Sequence, residues 1–178
     1  LGYSCSGRVV EVGAGVSGFK VGDAVACAGP EVAAHSELVI VPSTMVVRLP
    51  EGCDLKDASS VAAGAVALNA ARRAGMQLGE VAVVVGLGLY GLLVAKVLEN
   101  CGVRVIGFDA DGGKIARARR AGLREVFALN PAAEAALAVE KLTRNMGADV
   151  AFVTPPAHGE DNLQLAMTML RKRGKLVP

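Results

Sequence analysis

The sequence predicts an α/β protein whose larger part is a doubly wound parallel sheet. From about residue 79 to residue 178, short apolar runs alternate with helical patterns across short connections. Residues 1–52 instead carry short alternating segments rich in valine and glycine, which are typical of β structure. Composition agrees, since 52% of the 178 residues are hydrophobic and only 3% are aromatic. We therefore divide the chain into a β domain (1–52), a connecting helical segment (53–78) and an α/β domain (79–178).

The β domain is predicted to contain four short strands. Glycine turns at Gly13–Gly15 and Gly22–Asp23 separate the first strands, and Pro42 closes the third. The predicted strands are Ser6–Val12, Asp23–Cys27, Glu37–Val41 and Val46–Pro50.

The connecting segment is predicted to be an alanine-rich helix from Ala58 to Ala74, with Gly75 at its C-cap.

The α/β domain is predicted to alternate strictly between strands and helices. The strands are Val81–Val85, Val103–Phe108, Glu125–Leu129, Asp149–Val153 and Gly174–Val177. The helices are Leu89–Glu99, Gly113–Ala121, Ala132–Asn145 and Asp161–Arg173. Short connections between them favour a parallel order. The basic clusters at 117–120 and 171–173 fall on predicted helices, where we interpret them as solvated faces or helix ends.

A glycine-rich turn follows the most apolar strand of the chain. Gly86, Gly88 and Gly91 have the spacing G-x-G-x-x-G, with Leu87, Leu89 and Tyr90 between them. The first glycine permits a tight turn, the second lets the backbone approach a pyrophosphate, and the third lets the next helix pack closely on the sheet. The N-H groups at the start of that helix would face the phosphates. The turn therefore predicts a dinucleotide site, with incidental glycines in a structural βαβ unit as the alternative.

An acidic residue stands where a ribose-binding carboxylate is expected. Asp109 ends the next predicted strand, eighteen residues after Gly91. It would accept hydrogen bonds from ribose hydroxyls. A 2′-phosphate would instead be repelled by the carboxylate, and this repulsion costs roughly 4 kcal/mol at a separation of about 4 Å and an effective dielectric constant of about 20. NAD is therefore predicted over NADP, unless Arg104 or Arg117 reaches across to the phosphate.

Composition and charge also bear on the binding partners and the cellular location of the protein. Lys and Arg number 19 against 17 Asp and Glu, which gives no electrostatic reason to expect nucleic acid. No apolar run has the length of a membrane span, and the N-terminus lacks a basic region followed by an apolar one, so no membrane is expected and the location is predicted to be cytoplasmic. The four cysteines never form C-x-x-C and are interpreted as reduced thiols.

Three further motifs give the chain a family resemblance. They are Gly2-Tyr3-Ser4-Cys5-Ser6-Gly7-Arg8-Val9, Val12-Gly13-Ala14-Gly15-Val16 and Lys20-Val21-Gly22-Asp23-Ala24-Val25. With the glycine turn, Asp109 and Lys114, this order resembles the medium-chain dehydrogenase/reductase superfamily across essentially the whole chain. The resemblance implies a GroES-like β domain, here partial, followed by a Rossmann domain, with substrate bound in the cleft between them.

The chain departs from the zinc-dependent members of that superfamily. Where they carry a zinc-binding histidine and a neighbouring glutamate, this sequence has Tyr3 and Ser4. Their further cysteine ligand falls near Ser59, where this sequence has no cysteine. Phenol and hydroxyl groups are poor replacements for these ligands. Only eleven residues separate Asp23 from His35, too few for the four-cysteine structural zinc lobe. No metal is therefore expected.

The superfamily pattern also suggests that the chain is a piece of a longer protein. The preceding strands, a sixth sheet strand and the returning segment are missing by comparison with it. The arrangement resembles the first part of two-domain oxidoreductases, so a second oxidoreductase domain or a homo-oligomer is a possible partner of this unit. An uncovered sheet edge would otherwise invite pairing.

The resemblance and the sheet edges supply the remaining candidate residues for the cofactor. Thr154 and Pro155, with Ala63 and Gly64, fall where relatives approach the nicotinamide. Lys114 matches a position near the adenosine ribose, with an exposed helix lysine as the alternative.

The sequence offers three candidate catalytic residues, each with a structural alternative. Tyr3 and Ser4 are candidates because the resemblance places them at the cleft, with core or hydrogen-bond filler as the alternative. His158 follows a predicted parallel strand at its carboxyl end, with a loop histidine as the alternative. His35 lacks an acid or cysteine at ligand spacing and is interpreted as structural.

These observations predict an NAD-dependent oxidoreductase that transfers a hydride between nicotinamide and an alcohol or carbonyl substrate without catalytic zinc. Two alternatives stay open: a dinucleotide-binding regulatory or scaffold module without turnover, and a zinc-dependent alcohol dehydrogenase with unusual ligands.

Overall fold

The computed structural model describes residues 2–154 and 160–178 and divides into two compact units. The first unit comprises residues 1–65 and the second residues 66–178. Among the described residues, no helix combines the length and the apolar character needed to cross a bilayer.

The first unit is built on a small antiparallel sheet. Its strands are β1 (Ser4–Arg8), β2 (Ala24–Ala28) and β3 (Val46–Arg48), in the order β1-β2-β3. A 3-10 turn at Ser43–Met45 precedes β3, and the short helix α1 (Leu55–Ala58) follows it. Val25, Cys27 and Ala33 form its buried core.

Two strand predictions in this unit are wrong. The first strand ends at Arg8 rather than continuing to Val12. The segment Glu37–Val41 is not a strand: it bends at Glu37 and Leu38 and continues without regular structure, with Leu38 72% and Ile40 95% exposed. Alternating apolar residues favour a strand only where a neighbouring strand accepts their backbone hydrogen bonds, and the described sheet has none beside this segment.

The alanine-rich helix begins later than predicted. A short turn at Ser59 and Ser60 separates α1 from α2 (Val61–Ala74). The Ser59 hydroxyl donates to the carbonyl of Lys56 over 2.6 Å, and the Ser60 hydroxyl donates to that of Asp57 over 3.0 Å. Such local bonds compete with regular helix. Gly75 ends α2 with φ of 63°, which confirms the predicted C-cap.

The second unit confirms the doubly wound parallel sheet. Its strands and helices alternate as β4 (Val81–Val85), α3 (Leu89–Asn100), β5 (Arg104–Asp109), α4 (Gly112–Arg120), β6 (Glu125–Ala128), α5 (Ala132–Leu142), β7 (Ala148–Val153), α6 (Glu160–Thr168) and β8 (Leu170–Val177). The strand order is β6-β5-β4-β7-β8, and all four pairings are parallel. The order reverses between β4 and β7, which is the point where ligands bind in such sheets.

Strand β4 is buried on both faces, as its run of valines predicts. Ala82 and Val84 belong to one core cluster, whereas Val83 and Val85 belong to the other. Side chains alternate across a strand, so the two clusters lie on opposite faces of the sheet.

The end of the chain differs from the prediction. Helix α6 stops at Thr168, and residues 171–173 lie in β8 rather than on a helix. Ala148 pairs with Leu170, a register shift follows, and Val150 then pairs with Lys175. Arg171 also donates to Asp149 over 2.5 Å. Pairing with β7 thus overrides the helical pattern, because propensity is a weak preference beside tertiary contacts.

Candidate functional site

The glycine turn after β4 is shaped by close approach of two backbone segments. Gly86 has φ of 93°, a conformation that favours glycine, and its N-H donates to the carbonyl of Phe108 over 2.8 Å. A β-carbon on Gly91 would lie 1.8 Å from the carbonyl oxygen of Gly86, so only glycine fits there. At Gly88, by contrast, a β-carbon would meet open space. The turn therefore leaves room for a ligand above Gly88.

Helix α3 begins at this open position without a side-chain cap. Gly88 is its N-cap, and no acidic residue occupies its first turn. The first N-H groups of a helix lack intrahelical partners and carry the positive end of the macrodipole. Leu89, in that first turn, is 57% exposed, and Tyr90 is half-buried. This end of α3 is suited to an anionic ligand such as a pyrophosphate.

Asp109 ends β5 and holds the turn from the neighbouring strand. Its side chain is only 6% exposed, and its Oδ2 accepts a hydrogen bond from the N-H of Leu87 over 2.7 Å. Its Oδ1 accepts from the N-H of Asp111 over 2.8 Å. Leu87 itself is fully buried in the core. A carboxylate has about four acceptor sites, so two remain for ligand hydroxyls.

Lys114 approaches the same carboxylate from helix α4. Its Nζ lies 3.7 Å from Oδ2 of Asp109. Asp111 caps α4 by accepting from the N-H groups of Gly113 and Lys114, and the bonds from Lys114 and then Gly113 lower the pKa of the Asp111 carboxyl below its usual range. The cap fixes where α4 begins, which brings Lys114 beside Asp109.

Thr154, immediately after β7, ties a third strand to the turn. Its N-H donates to the carbonyl of Val85 over 2.8 Å, and its hydroxyl donates to that of Gly86 over 2.8 Å. Two other predicted residues, Pro155 and His158, lie outside the described residues.

A cavity of about 290 Å³ joins these groups at the carboxyl ends of the strands. It is lined by Gly86, Gly88, Asp109, Lys114 and Thr154, all predicted, and also by Asn130 and Asn162, which sequence reasoning missed. Asn130 lies two residues beyond β6, so the rule that ligands bind beyond the carboxyl ends of the strands was the available signal.

A larger hollow of about 430 Å³ lies beside the opposite ends of β5 and β6. Two ion pairs line it: Lys96 with Glu99 at 2.9 Å, and Arg104 with Glu125 at 2.6 Å. We favour the smaller cavity as the candidate site, because the charges of these two pairs already neutralise one another and because the smaller cavity lies at the carboxyl ends of the parallel strands.

The remaining candidates belong to the first unit. Tyr3 is 43% exposed. The Ser4 hydroxyl donates to the carbonyl of Ser59 over 2.6 Å and accepts from the N-H of Ala62 over 3.2 Å. Ala63 is buried, and Gly64 is half-buried with open space at its β-carbon position. The Ser4 side chain thus bonds to the backbone of Ser59. The resemblance puts a glutamate of the zinc-dependent members at Ser4 and their cysteine ligand near Ser59.

Neither position offers a donor that suits zinc. The Ser59 hydroxyl is engaged with Lys56, and serine hydroxyls are not among the ligands that zinc sites use. Across residues 2–154 and 160–178, no three His, Cys, Asp or Glu side chains group together in a way that could hold a metal ion. His35 is exposed, and its imidazole lies against Gly2.

Comparison with known families matches both parts of the chain. Residues 86–178 match the family described as zinc-binding dehydrogenase. Residues 1–51 match the alcohol dehydrogenase GroES-like domain.

Individual relatives agree with these matches. The chain is 32% identical to D-guloside 3-dehydrogenase of Escherichia coli K12 over 99% of its own length and 49% of the relative's. It is 29% identical to 2-dehydro-3-deoxy-L-galactonate 5-dehydrogenase of Pseudoalteromonas atlantica over 85% of this chain and 52% of that protein. The chain therefore spans about half the length of the curated relatives it matches.

Among solved structures, a mycobacterial protein in complex with NADPH is 25% identical, with a TM-score of 0.83 over 98% of this chain and 55% of that one. The family matches, the parallel sheet and the glycine turn agree with one another. The chain belongs to the zinc-binding dehydrogenase family, within the medium-chain dehydrogenase/reductase superfamily.

Proposed function

We propose that this chain is the cofactor-binding part of an NAD-dependent oxidoreductase that transfers a hydride between nicotinamide and an alcohol or carbonyl group. The observation that carries the proposal is the turn Gly86–Gly91, held against the buried carboxylate of Asp109 by the N-H of Leu87. The family match supports an oxidoreductase; the choice of cofactor and the absence of zinc are our inferences.

The chain's own groups would bind and orient the dinucleotide. The N-H groups at the start of α3 would hold the pyrophosphate above Gly88, and the free acceptor sites of Asp109 would take ribose hydroxyls. Thr154 would keep the turn rigid, since its hydroxyl bonds to Gly86. When bound, the cofactor supplies the hydride acceptor or donor.

The preference for NAD over NADP follows from charge. A 2′-phosphate would have to approach the Asp109 carboxylate, whose Oδ2 lies 3.7 Å from Nζ of Lys114. The mycobacterial protein of similar fold binds NADPH. Lys114 is the residue through which this chain would accept NADP, so both cofactors belong in the test.

We propose that the chemistry proceeds without zinc, despite the family's description. Ser4 and Ser59 bond to the backbone where ligands would be needed, and the hydroxyl and phenol donors present do not fit a zinc centre. No catalytic step is therefore assigned to a metal here.

The substrate is proposed to be a polyhydroxylated alcohol or the matching ketone. Both curated relatives described above are named for sugar derivatives. Because the chain covers half of their length, the substrate and the activity refer to the whole protein.

The deciding experiment has two arms. Fluorescence titration of this chain should give a lower Kd for NADH than for NADPH, and tighter binding of NADPH would overturn the cofactor assignment. The full-length protein should then reduce NAD with a member of a panel of sugar alcohols, sugar acids and glycosides. NADH binding without turnover on any simple alcohol or panel member would favour a regulatory or scaffold module.

A further inference from the structure

Two cysteines face each other across the antiparallel strands β1 and β2. Cys5 and Cys27 are direct partners in the register of this pair. Their side chains lie on the same face of the sheet, because cross-strand partners share a face. Both belong to the small apolar cluster around Val25 and Ala33. A sequence separation of more than twenty residues conceals this pairing.

The backbone bonds define which kind of cross-strand pair this is. The N-H of Gly29 donates to the carbonyl of Tyr3, and the N-H of Val9 donates to that of Asp23. Hydrogen-bonded pairs alternate along an antiparallel ladder, so Cys5 and Cys27 are also such a pair, with a typical Cα separation of about 5.5 Å. Disulfides span Cα separations of roughly 4.4–6.8 Å.

Both side chains pack in the same small apolar cluster, in which Cys27 is buried and Cys5 is partly buried. Both cysteines are present as free thiols. The other two cysteines, Cys53 and Cys101, are exposed.

We propose that Cys5 and Cys27 form a reversible intrachain disulfide when the chain meets a low-molecular-weight disulfide such as oxidised glutathione. This modification site is independent of the proposed dehydrogenase function. It would join β1 to β2 covalently, directly beside Ser4 and its bonds to the α1–α2 turn.

The order of the two steps follows from exposure. Cys5 is half-buried, whereas Cys27 is only 6% exposed. The Cys5 thiolate attacks one sulfur of glutathione disulfide, that S–S bond breaks, and one glutathione leaves and is protonated. The Cys27 sulfur then attacks the Cys5 sulfur of the mixed disulfide and displaces the second glutathione. The protein loses two electrons and two protons, and glutathione disulfide gains them as two thiols.

The environment of Cys27 does not suit the attacking role in the first step. Burial, with smaller contributions from the neighbouring Cys5 thiol, raises the pKa of the Cys27 thiol to about 11. Once Cys5 is in a mixed disulfide it carries no thiolate charge, so Cys5 no longer contributes its charge to the raised pKa of Cys27. Cys27 is therefore a more effective nucleophile after the first step than before it.

The test uses the full chain with Cys53→Ser and Cys101→Ser, which leaves only the facing pair. After treatment with oxidised glutathione, intact mass should show the loss of two hydrogen atoms and no retained glutathione. Trypsin cuts after Arg8, Lys20 and Arg48, so the bond would link peptide 1–8 to peptide 21–48. Dithiothreitol should restore both thiols.

Two controls make the result decisive. Adding the substitution Cys27→Ser to this variant should leave glutathione on Cys5 as a mixed disulfide, because the thiol that would displace it is absent. In the unmutated chain, the native protein should give the Cys5–Cys27 link, whereas the urea-unfolded chain should scatter its disulfides among all four cysteines. Glutathionylation of the exposed Cys53 in the unmutated chain shows that the oxidant was effective. The proposal is overturned if, under those conditions, Cys5 and Cys27 of the native chain stay free thiols. It is also overturned if glutathione remains on Cys5 or if other cysteine pairs form.

Discussion

The Thr154 hydroxyl donates a hydrogen bond to the carbonyl oxygen of Gly86 over 2.8 Å, across 68 positions of sequence. The bond links the end of β7 to the first glycine of the turn after β4. It is one of three contacts that stiffen this turn, with the bonds from Gly86 to Phe108 and from Leu87 to Asp109.

Replacing Thr154 with valine removes this bond and keeps the shape of the side chain. We expect a loss of about 1 kcal/mol in the free energy of unfolding and weaker NADH binding, because the turn is less rigid. Urea unfolding and fluorescence titration measure the two effects. Thr168→Val is the matched control, since Thr168 is exposed and its hydroxyl donates to the carbonyl of Leu165 within helix α6. Equal NADH affinity in wild type and Thr154→Val would contradict the positioning role.

The glycines of the turn should respond differently to alanine. Gly91→Ala places a methyl group 1.8 Å from the Gly86 carbonyl oxygen, so the backbone must shift and stability should fall by about 1–3 kcal/mol or more. Gly88→Ala meets open space and should fold normally. It should still weaken NADH binding about tenfold, corresponding to ~1.4 kcal/mol, if a pyrophosphate approaches that backbone.

Gly112→Ala serves as the control for both glycine variants, because a β-carbon there also meets open space outside the cavity. Circular dichroism melting separates the folding effect of Gly91→Ala from the binding effect of Gly88→Ala. Unchanged NADH affinity in Gly88→Ala would argue against close approach of a phosphate.

Neutralising Asp109 should shift cofactor preference. Asp109→Asn removes the negative charge beside the ribose site, so NADPH binding should strengthen relative to NADH binding. The ratio of the two Kd values, from paired titrations, is the measurement. Glu140→Gln, on an exposed face of α5, removes the same charge and should leave the ratio unchanged. A ratio that does not move in Asp109→Asn would mean that the carboxylate does not face the ribose.

The donor set at Ser4 and Ser59 leads to a prediction about metal content. The purified chain should hold far less than one zinc per molecule, and extended chelation should leave its melting temperature unchanged. Inductively coupled plasma mass spectrometry gives the stoichiometry. One tightly held zinc per chain, removed only with loss of folded structure, would show that the prediction of no zinc is wrong.

Stability at alkaline pH should depend on Cys27. Burial and, to a lesser extent, the neighbouring Cys5 raise the pKa of this thiol from 9.0 to about 11, so the folded chain retains a proton that the unfolded chain releases. The stabilisation is complete below pH 9 and is lost as pH rises toward 11. Under reducing conditions, wild type should therefore lose more unfolding free energy over this range than Cys27→Ala does. Parallel pH dependences of the two proteins would contradict the assignment.

The sequence by itself determined the order of elements in the second unit and the position of its glycine turn. The valine run, the glycine spacing and the acid at Asp109 are local patterns, and each acts within one βαβ unit. Strand, turn and helix therefore follow from neighbouring residues, and the predicted bounds of β4, α3 and β7 agree with the structure to within one residue.

Tertiary structure alone decided the features that depend on distant pairing. The bond from Thr154 to Gly86, the facing of Cys5 and Cys27, and the extension of β8 over residues 171–173 each require a partner strand to be in register. The exposed segment Glu37–Val41 is the converse case, since its alternating pattern finds no neighbouring strand. A backbone hydrogen bond between strands needs a donor on one strand and an acceptor on another that is distant in sequence. A local sequence pattern specifies only one of these two strands.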